Sequence, residues 1–494
     1  MLGSHGVEHR LLDANIEGIL HLLRMPVPTE KANDAWSKRA FRHREYALSS
    51  MRDPALYRHI DRYTRAVRDL SRVIHKVSPS ATNTGLTNFE DKHLSPIRSR
   101  DLLTAAQQPE LNPFYPYFRP RLEELIHRNE PSFAGISINY LSQALSAFSI
   151  AGFIRKNFPG LKIILGGGLV TSWLTNPLWR NPFGGLVDHL VAGPGEEQLL
   201  SMLGINTEKK VPCRPEYLSL PRDDYFAPGL ILPYSASSGC YWSRCEFCPE
   251  KAEGNQYIPI PPQQVIGDLR HLAAKTDPVL IHLLDNALSP ALLEALAAES
   301  IGVPWYGFAR ISSHLTDPDF CLALKRAGCV MLKLGIESGD QDVLDRLQKG
   351  IHTDTASIVL RNLRKAGIGT YVYLIFGTPA ETEAGARKTL AFTVKHCDSI
   401  DFLNLAIFNM PICGVPDPGI ETRSFYDGDL SLYTDFIHPA GWDRKRVRLF
   451  LHNEFRRHPA VSAILKNDPP VFTSNHAPLF MMEKSMKVAL RIKS

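Results

Sequence analysis

Cysteine is scarce, with eight residues in a chain of 494. That density is far below what a small disulfide-stapled secreted domain carries. Excess charge is scarce too. Lys and Arg number 56 against 51 Asp and Glu, a formal net charge of +5, which gives no electrostatic case for a nucleic-acid partner. Internal repeats and low-complexity tracts are missing. Residues 1–24 hold acidic residues and several histidines and lack the apolar run of a secretory signal. One stretch, Ser132–Ile154, is free of charge for long enough to suggest a bilayer span. Its five serines, Asn139 and Gln143 point instead to a strand followed by a buried helix. With 44% hydrophobic and 22% charged residues, the composition excludes disordered and fibrous proteins. The expectation is a cytoplasmic protein without a membrane span, of two to four domains at roughly 150 residues each.

Residues 1–117 read as a helical and irregular N-terminal segment. Between Trp36 and Lys76 there are 11 Lys or Arg against four acidic residues. Tyr63, Val67, Leu70, Ile74 and Val77 recur there at helical spacing, with most of the arginines off that stripe. A solvated helix face explains this pattern, and no aromatic-rich signature supports RNA as a partner. Residues 78–115 are turn-rich and read as an irregular connection. Over 118–205 strands and helices alternate: a helix at Arg119–Arg128, a strand at Ala134–Asn139, a helix at Gln143–Asn157, and strands at Lys162–Leu165 and Leu190–Ala192. Glycines cluster at the strand ends, in Gly166-Gly167-Gly168 and Gly193-Pro194-Gly195-Glu196. That arrangement implies a parallel, Rossmann-like sheet whose ligands sit beyond the carboxyl ends of its strands.

A polar linker is expected at 206–230. From 231 to 416, strand-like runs begin near Ile231, Val279, Pro304, Cys329, Thr370 and Ile400. Arg326-Ala327-Gly328 and Lys365-Ala366-Gly367 stop two of the intervening helices. Six β/α units in so short a stretch predict a partial (β/α)6 barrel. The fold class is therefore α/β, with a mixed, partly helical C-terminal segment at 417–494.

The strongest chemical signal is Ser238-Gly239-Cys240-Tyr241-Trp242-Ser243-Arg244-Cys245-Glu246-Phe247-Cys248, directly after the first barrel strand. Three thiolates on one short loop fit three corners of a [4Fe-4S] cubane and leave the fourth iron open. A structural zinc site is the alternative. It requires a fourth Cys or His, and none lies between residues 214 and 270 beyond the three. Cys321, Cys329 and Cys397 sit inside helical or strand runs and read as small buried hydrophobes. Cys413, following the sixth strand, is a candidate second catalytic thiol.

The cysteine loop and the strand ends behind it resemble the radical S-adenosylmethionine (radical SAM) superfamily. The commonest spacing in that superfamily puts three residues between the first two cysteines, and four stand here; one more residue adds up to about 3.3 Å of chain. The resemblance extends to Leu284-Asp285-Asn286, Phe308-Ala309-Arg310, Leu334-Gly335-Ile336-Glu337-Ser338-Gly339 and Phe376-Gly377-Thr378-Pro379-Ala380-Glu381-Thr382. It implies that Cys240, Cys245 and Cys248 hold the cluster and that Phe247, Arg310, Glu337, Ser338 and Gly377 contact SAM. Arg310 would pair with the SAM carboxylate, Glu337 and Ser338 with its ribose or amino group, and Phe247 would lie near the adenine. The open iron would chelate SAM, and a reductant such as flavodoxin or ferredoxin would supply the electron that releases a 5′-deoxyadenosyl radical.

Residues 118–205 resemble the cobalamin-binding domain that precedes the barrel in one class of these enzymes. The resemblance points to Ser137, Gly166, Gly167, Gly168, Gly193, Gly195 and Glu196 as cobalamin contacts. Asp91-Lys92-His93 only approaches the motif of a cobalt-ligating histidine, ending in Pro96 where that motif has Gly. The implied activity is methyl transfer or another cobalamin-assisted radical reaction. A radical SAM enzyme without cobalamin and a non-catalytic iron–sulfur or zinc protein remain as alternatives. The substrate is not specified by any motif. Trp442, Arg444, Arg448, Asn475 and His476, in the C-terminal segment, are candidates for its side of the barrel.

Overall fold

The computed structural model describes residues 1–27, 30, 32–176, 179–205, 214–413, 419–425 and 427–483. Residues 206–213 of the expected linker, and 414–416 at the expected end of the barrel, lie outside the described residues. Two compact units emerge. One comprises Met1–Leu48, Ala66–Asp224 and Ser424–Thr434; the other comprises Ser49–Arg65, Tyr225–Arg423 and Asp435–Ser494.

The first unit holds a three-stranded parallel sheet, β1 (Phe133–Ser137), β2 (Lys162–Gly166) and β3 (His189–Leu190), in chain order. Helix Leu141–Asn157 connects β1 to β2, and Gly168–Thr175 follows β2. Phe118, Phe148, Phe153, Trp173 and Phe183 fill the core behind the sheet. The turn-rich stretch 78–115 is more ordered than its composition suggests. It contains an antiparallel pair, Thr82–Thr84 with Phe89–Asp91, and a helix, Ser99–Gln107. That helix buries only a short apolar face, Leu102, Ala105 and Ala106, too brief to stand out as periodicity. It crosses Leu141–Asn157 at Gly152, where a Cβ would stand 1.9 Å from the Ala106 carbonyl oxygen. Only glycine permits so close a crossing.

Along helix Ile60–Val77 the expected stripe is buried at Tyr63, Val67, Leu70 and Ile74, and only partly at Val77. Arg72 departs from the solvated reading. It pairs with Asp34 at 2.9 Å and stacks 4.6 Å from the Trp36 ring centroid.

The second unit is built on β4 (Ile231–Tyr234), β5 (Leu280–Leu288), β6 (Trp305–Ala309), β7 (Cys329–Glu337), β8 (Gly369–Phe376) and β9 (Phe402–Ile407). These form one parallel sheet in chain order, with β4 and β9 at its edges. Both expected glycine stops are present. Gly367 caps helix Thr353–Ala366 at φ 74°, and Gly328 turns at φ 98° directly before β7. Side chains start the helices as local chemistry dictates: Ser289, Asp317 and Thr382 each accept a first-turn backbone N–H.

The C-terminal segment does not shape the substrate side at Asn475 and His476, as the sequence suggests. His476 stacks on Tyr371 with centroids 4.2 Å apart. Ala477 and Phe480 pack on Leu280, Tyr306, Met331, Tyr371 and Phe402. Each of these residues lies at the start of its strand, so the segment covers the end of the sheet opposite the cysteine loop. Asn475 Nδ2 donates to Tyr63 Oη at 2.8 Å and to the Phe226 carbonyl at 3.2 Å, fixing the cover in place. The cause is the apolar surface of the strand starts, which must be removed from water. No helix among the described residues is long and apolar enough to cross a membrane.

Candidate active site

The cysteine loop leaves β4 through a tight, buried junction. The Asp285 carboxylate, in the second half of β5, accepts the Ala236 N–H at 3.0 Å and the Ser237 hydroxyl at 2.5 Å. Burial pushes that carboxyl upward, with these hydrogen bonds opposing the rise. Asn286 Nδ2 donates to the Gly239 carbonyl at 3.2 Å. Gly239 adopts φ +69°, and a Cβ there would stand 2.3 Å from the Gln256 carbonyl oxygen, so glycine is required one residue before Cys240. Asp285 and Asn286 thus shape the base of the loop.

Cys245 is buried, and Cys240 and Cys248 are half-buried. Desolvation raises the Cys245 thiol, opposed by the Lys349 and Arg310 cations. Desolvation also raises Cys248, opposed by the backbone N–H groups of Glu250 and Lys251, with Cys245 and Cys240 near enough to add to the rise. The three thiols therefore share one electrostatic neighbourhood. Among the described residues no three Cys, His, Asp or Glu converge as ligands of a single ion; three thiolates that each bind a different iron of a cubane need not converge. Thiolates around an iron–sulfur core carry net negative charge, which the two buried cations match. The donor set fits the cluster.

Arg310 follows β6 and is buried. Its Nη1 donates toward Cys245 Sγ at 3.8 Å, its Nη2 donates to the Lys349 carbonyl, and its guanidinium lies 4.3 Å from the Trp242 ring centroid. Glu337, at the end of β7, has φ +68°, a left-handed conformation that costs a non-glycine residue free energy. The turn aims its carboxylate at Lys349 Nζ, 2.8 Å away, in a pair whose side chains are only 12% and 7% exposed. Gly335 makes room for that pair, since a Cβ there would stand 2.5 Å from Glu337 Oε1. Lys349 Nζ also sits 5.5 Å from the Phe247 ring centroid, and Phe247 packs on Val343, Leu347 and Ala380.

Phe247, Arg310, Glu337 and the cysteine loop are therefore brought together, and Ser338 and Gly377 are engaged elsewhere. Ser338 is fully buried; its hydroxyl lies 3.0 Å from the Thr389 hydroxyl and accepts the Asp340 N–H. Gly377 lies under Val447, 3.1 Å from where its Cβ would be, and donates its N–H to Glu381 at 2.5 Å. Glu381 also accepts Trp442 Nε1–H at 2.9 Å, which makes Trp442 a support of the β8 turn. Arg444 donates to the Phe408 carbonyl and to Asn409 at 2.8 Å. Cys413 is half-buried and directly precedes residues outside those described.

Two residues at the site escape a motif reading. Trp242 donates Nε1–H to the Gln348 carbonyl at 3.0 Å, and Lys349 supplies the buried ammonium. The nearest available signal is the Lys349-Gly350 pair closing the turn after the Gly335–Glu337 motif.

In the first unit, Ser137 is exposed at the end of β1 and accepts Asn139 Nδ2–H at 3.3 Å. Asn139 Oδ1 accepts the Gly168 N–H at 2.9 Å. Gly167 has φ +98°, and a Cβ there would stand 2.6 Å from the Ile138 carbonyl oxygen, whereas Gly135 and Gly193 face open space. Gly166 has ordinary clearance and Gly195 precedes helix Glu196–Met202. The three strand ends thus carry exposed, glycine-rich backbone. His93 is exposed on a turn whose Asp91 carboxylate accepts the His93 and Leu94 N–H groups.

Residues 234–393 match the family model of the radical SAM superfamily. The chain carries a radical SAM domain. The match runs from the last residue of β4 past β8, and so takes in the cysteine loop and the ends of β5 to β8. An uncharacterised methyltransferase of Pyrococcus horikoshii is 22% identical over 313 residues, covering 56% of this chain and 66% of that one. The anaerobic magnesium-protoporphyrin IX monomethyl ester cyclase of Synechocystis is 23% identical over 252 residues, covering 44% of this chain and 50% of that one. The alignments thus span between half and two thirds of these relatives. Among solved structures, the radical SAM methyltransferase TsrM of Kitasatospora setae, with tryptophan and a SAM analogue bound, superposes with a TM-score of 0.50. It is 19% identical, and the match covers 66% of this chain and 76% of that one. At that identity the likeness is one of fold.

Proposed function

We propose that this protein is a cytoplasmic radical SAM enzyme that uses a [4Fe-4S] cluster, SAM and cobalamin, and that it transfers a methyl group to an unactivated carbon or phosphorus. The observation that carries the reading is the three-cysteine loop at the head of a six-stranded parallel sheet, with Cys245 buried beside two cations. Cys240, Cys245 and Cys248 would hold the cluster. When bound, the cluster would supply one-electron reductive cleavage of SAM to methionine and a 5′-deoxyadenosyl radical, with a flavodoxin or ferredoxin as the electron donor.

The chain's own residues bind and orient. The amino-acid end of SAM is a zwitterion, and the Glu337–Lys349 pair offers each of its charges an opposite partner. Phe247 supplies an apolar face beside them, and burial keeps water from the site, which strengthens each of these contacts. Arg310 lies in the same neighbourhood, where its charge reaches the SAM carboxylate through space. For cobalamin, the exposed strand ends at Ser137, Gly166 to Gly168, Gly193, Gly195 and Glu196 let backbone approach a flat macrocycle or its nucleotide tail closely, and Ser137 offers a hydroxyl to the detached base. The relatives described as methyltransferases favour methyl transfer.

The test is anaerobic purification from cobalamin-fed cells, with iron, sulfide and corrinoid measured per chain and SAM cleavage assayed under reductant. The expected result is one four-iron cluster, one corrinoid, and 5′-deoxyadenosine together with S-adenosylhomocysteine as products. Zinc without iron would overturn the radical reading. A cluster with SAM cleavage but no corrinoid would remove cobalamin alone.

A further inference from the structure

The four-residue spacer between Cys240 and Cys245 has a use in this fold. Ser243, inside it, adopts φ +45°, a left-handed turn directly after Trp242, whose ring packs against Gln348 and Gly350. The Trp242 ring fills the space above Gly350, where a Cβ would stand 2.1 Å from it, and its Nε1–H donates to the Gln348 carbonyl at 3.0 Å. The Glu246 N–H donates to the Leu347 carbonyl at 3.0 Å. Leu347 to Gly350 therefore act as a strut along the cysteine loop. Arg310 is held between the two: its guanidinium rests on the Trp242 face, Nη2 donates to the Lys349 carbonyl and Nη1 points at Cys245 Sγ, 3.8 Å away.

We propose that Trp242 is a positioning residue that clamps Arg310 against the Cys245 sulfur, so that this cation raises the reduction potential of the bound cluster. The inference rests on the iron–sulfur reading. Hydrogen bonds and positive charge at a ligating sulfur favour the reduced, more negative cluster. The guanidinium cannot lose its proton and its planar face stacks on an aromatic ring, so burial fixes the charge in place. Trp242 contributes both the stacking face and the tether to Gln348. A preorganised cation of this kind makes the cluster easier for its reductant to load, because it needs no reorganisation when the electron arrives, and lowers the driving force of the onward electron transfer to SAM.

The experiment is an EPR-monitored redox titration of the anaerobically reconstituted full-length protein, with iron content measured for every variant. Arg310→Gln should lower the ratio of reduced to oxidised cluster about tenfold at a fixed potential, equivalent to about 59 mV for one electron. Arg310→Lys should restore most of that ratio, because the charge remains. Trp242→Leu should shift it in the same direction as Arg310→Gln by a smaller factor, because the cation is unclamped but present. An unchanged potential in Arg310→Gln with full iron would overturn the proposal, as would a shift in Arg310→Lys as large as in Arg310→Gln. If Arg310→Gln fails to hold iron, Trp242→Leu decides: a lowered ratio upholds the proposal and a wild-type ratio overturns it. Loss of iron from both variants would assign the clamp to loop folding alone and overturn the tuning role. A wild-type protein that takes up no iron sinks the iron–sulfur reading instead, before any variant is compared.

Discussion

Replacing Lys349 by Met tests whether the Glu337–Lys349 pair holds the site in shape. The two side chains approach to 2.8 Å with exposures of 7% and 12%. Removing one member leaves a buried carboxylate without its cation, a change that costs about 3–5 kcal/mol when a buried pair is broken. Glu337 also sits at φ +68°, a conformation worth about 1–3 kcal/mol of strain. Part of that strain relaxes once Lys349 is gone, which puts the expected loss near the lower end, about 3 kcal/mol. The double variant Lys349→Met/Glu337→Met should recover much of it, because an apolar pair of similar volume leaves no orphaned charge. Neighbours coupled in this way show interaction energies of about 0.5–3 kcal/mol. Urea unfolding of the cluster-free chain, followed by circular dichroism under reducing conditions, measures all four states of the cycle. A loss below about 1 kcal/mol in Lys349→Met, or a double variant whose loss is the sum of the two single losses, would refute the reasoning.

Four further outcomes are expected. Glu337→Ala should weaken SAM binding roughly 10- to 150-fold, the value of a charge-assisted hydrogen bond of about 1.5–3 kcal/mol, with cluster iron retained; SAM titration read by cluster EPR checks it. Ala at Cys240, Cys245 or Cys248 should abolish the reduced-cluster EPR signal and SAM cleavage, whereas Cys321→Ala and Cys397→Ala should keep both. Burial pushes the Glu381 carboxyl up to about 7, so folding favours its protonated form; the resulting stability is present below its unfolded value and is lost as pH rises through 7. Each pH step between the unfolded and folded values removes about 1.36 kcal/mol, for a fall of about 3 kcal/mol in all, and Glu381→Gln should remove it from a series of urea melts taken between about pH 4.5 and 7. Gly167→Ala should lower thermal stability, since a Cβ there meets the Ile138 backbone, while Gly135→Val, on the same strand face as Ser137 and facing open space, should leave the melt unchanged and reduce corrinoid uptake measured by absorbance.

The large sheet was legible because its punctuation is local. Strands expected near Ile231 and Cys329 begin at those residues, and those expected near Val279, Pro304, Thr370 and Ile400 begin at Leu280, Trp305, Gly369 and Phe402. Glycines at 328 and 367 must adopt left-handed turns, and that requirement is visible in sequence. The cysteine loop was legible for the same reason, as three cysteines within nine residues. Trp242 and Lys349 were not. Trp242 meets Gln348 across a sequence separation of 106 residues, and no periodicity encodes a contact that the fold alone creates. Polar residues at strand ends looked alike in sequence, yet Ser338 turns inward to Thr389 and Asp340 while Glu337 turns toward Lys349. One left-handed residue separates those fates. The helix Ser99–Gln107 was hidden by its brevity, and the place of His476 by the absence of any pattern that tells which end of a sheet a distant segment will cover.

The cover over the strand starts has a consequence for synthesis on the ribosome. The parallel sheet is complete in the nascent chain at Ile407, but Ala477 and Phe480, which seal Tyr306, Met331, Tyr371 and Phe402, follow only later. At translation rates of about 5–20 residues per second, these side chains wait roughly 4–15 s for their lid. During that interval an apolar patch lies uncovered on an otherwise finished sheet, an invitation to aggregate or to recruit a chaperone. A truncated gene ending soon after β9 would make the interval permanent. Such a fragment should collect in inclusion bodies although every cysteine of the loop is present.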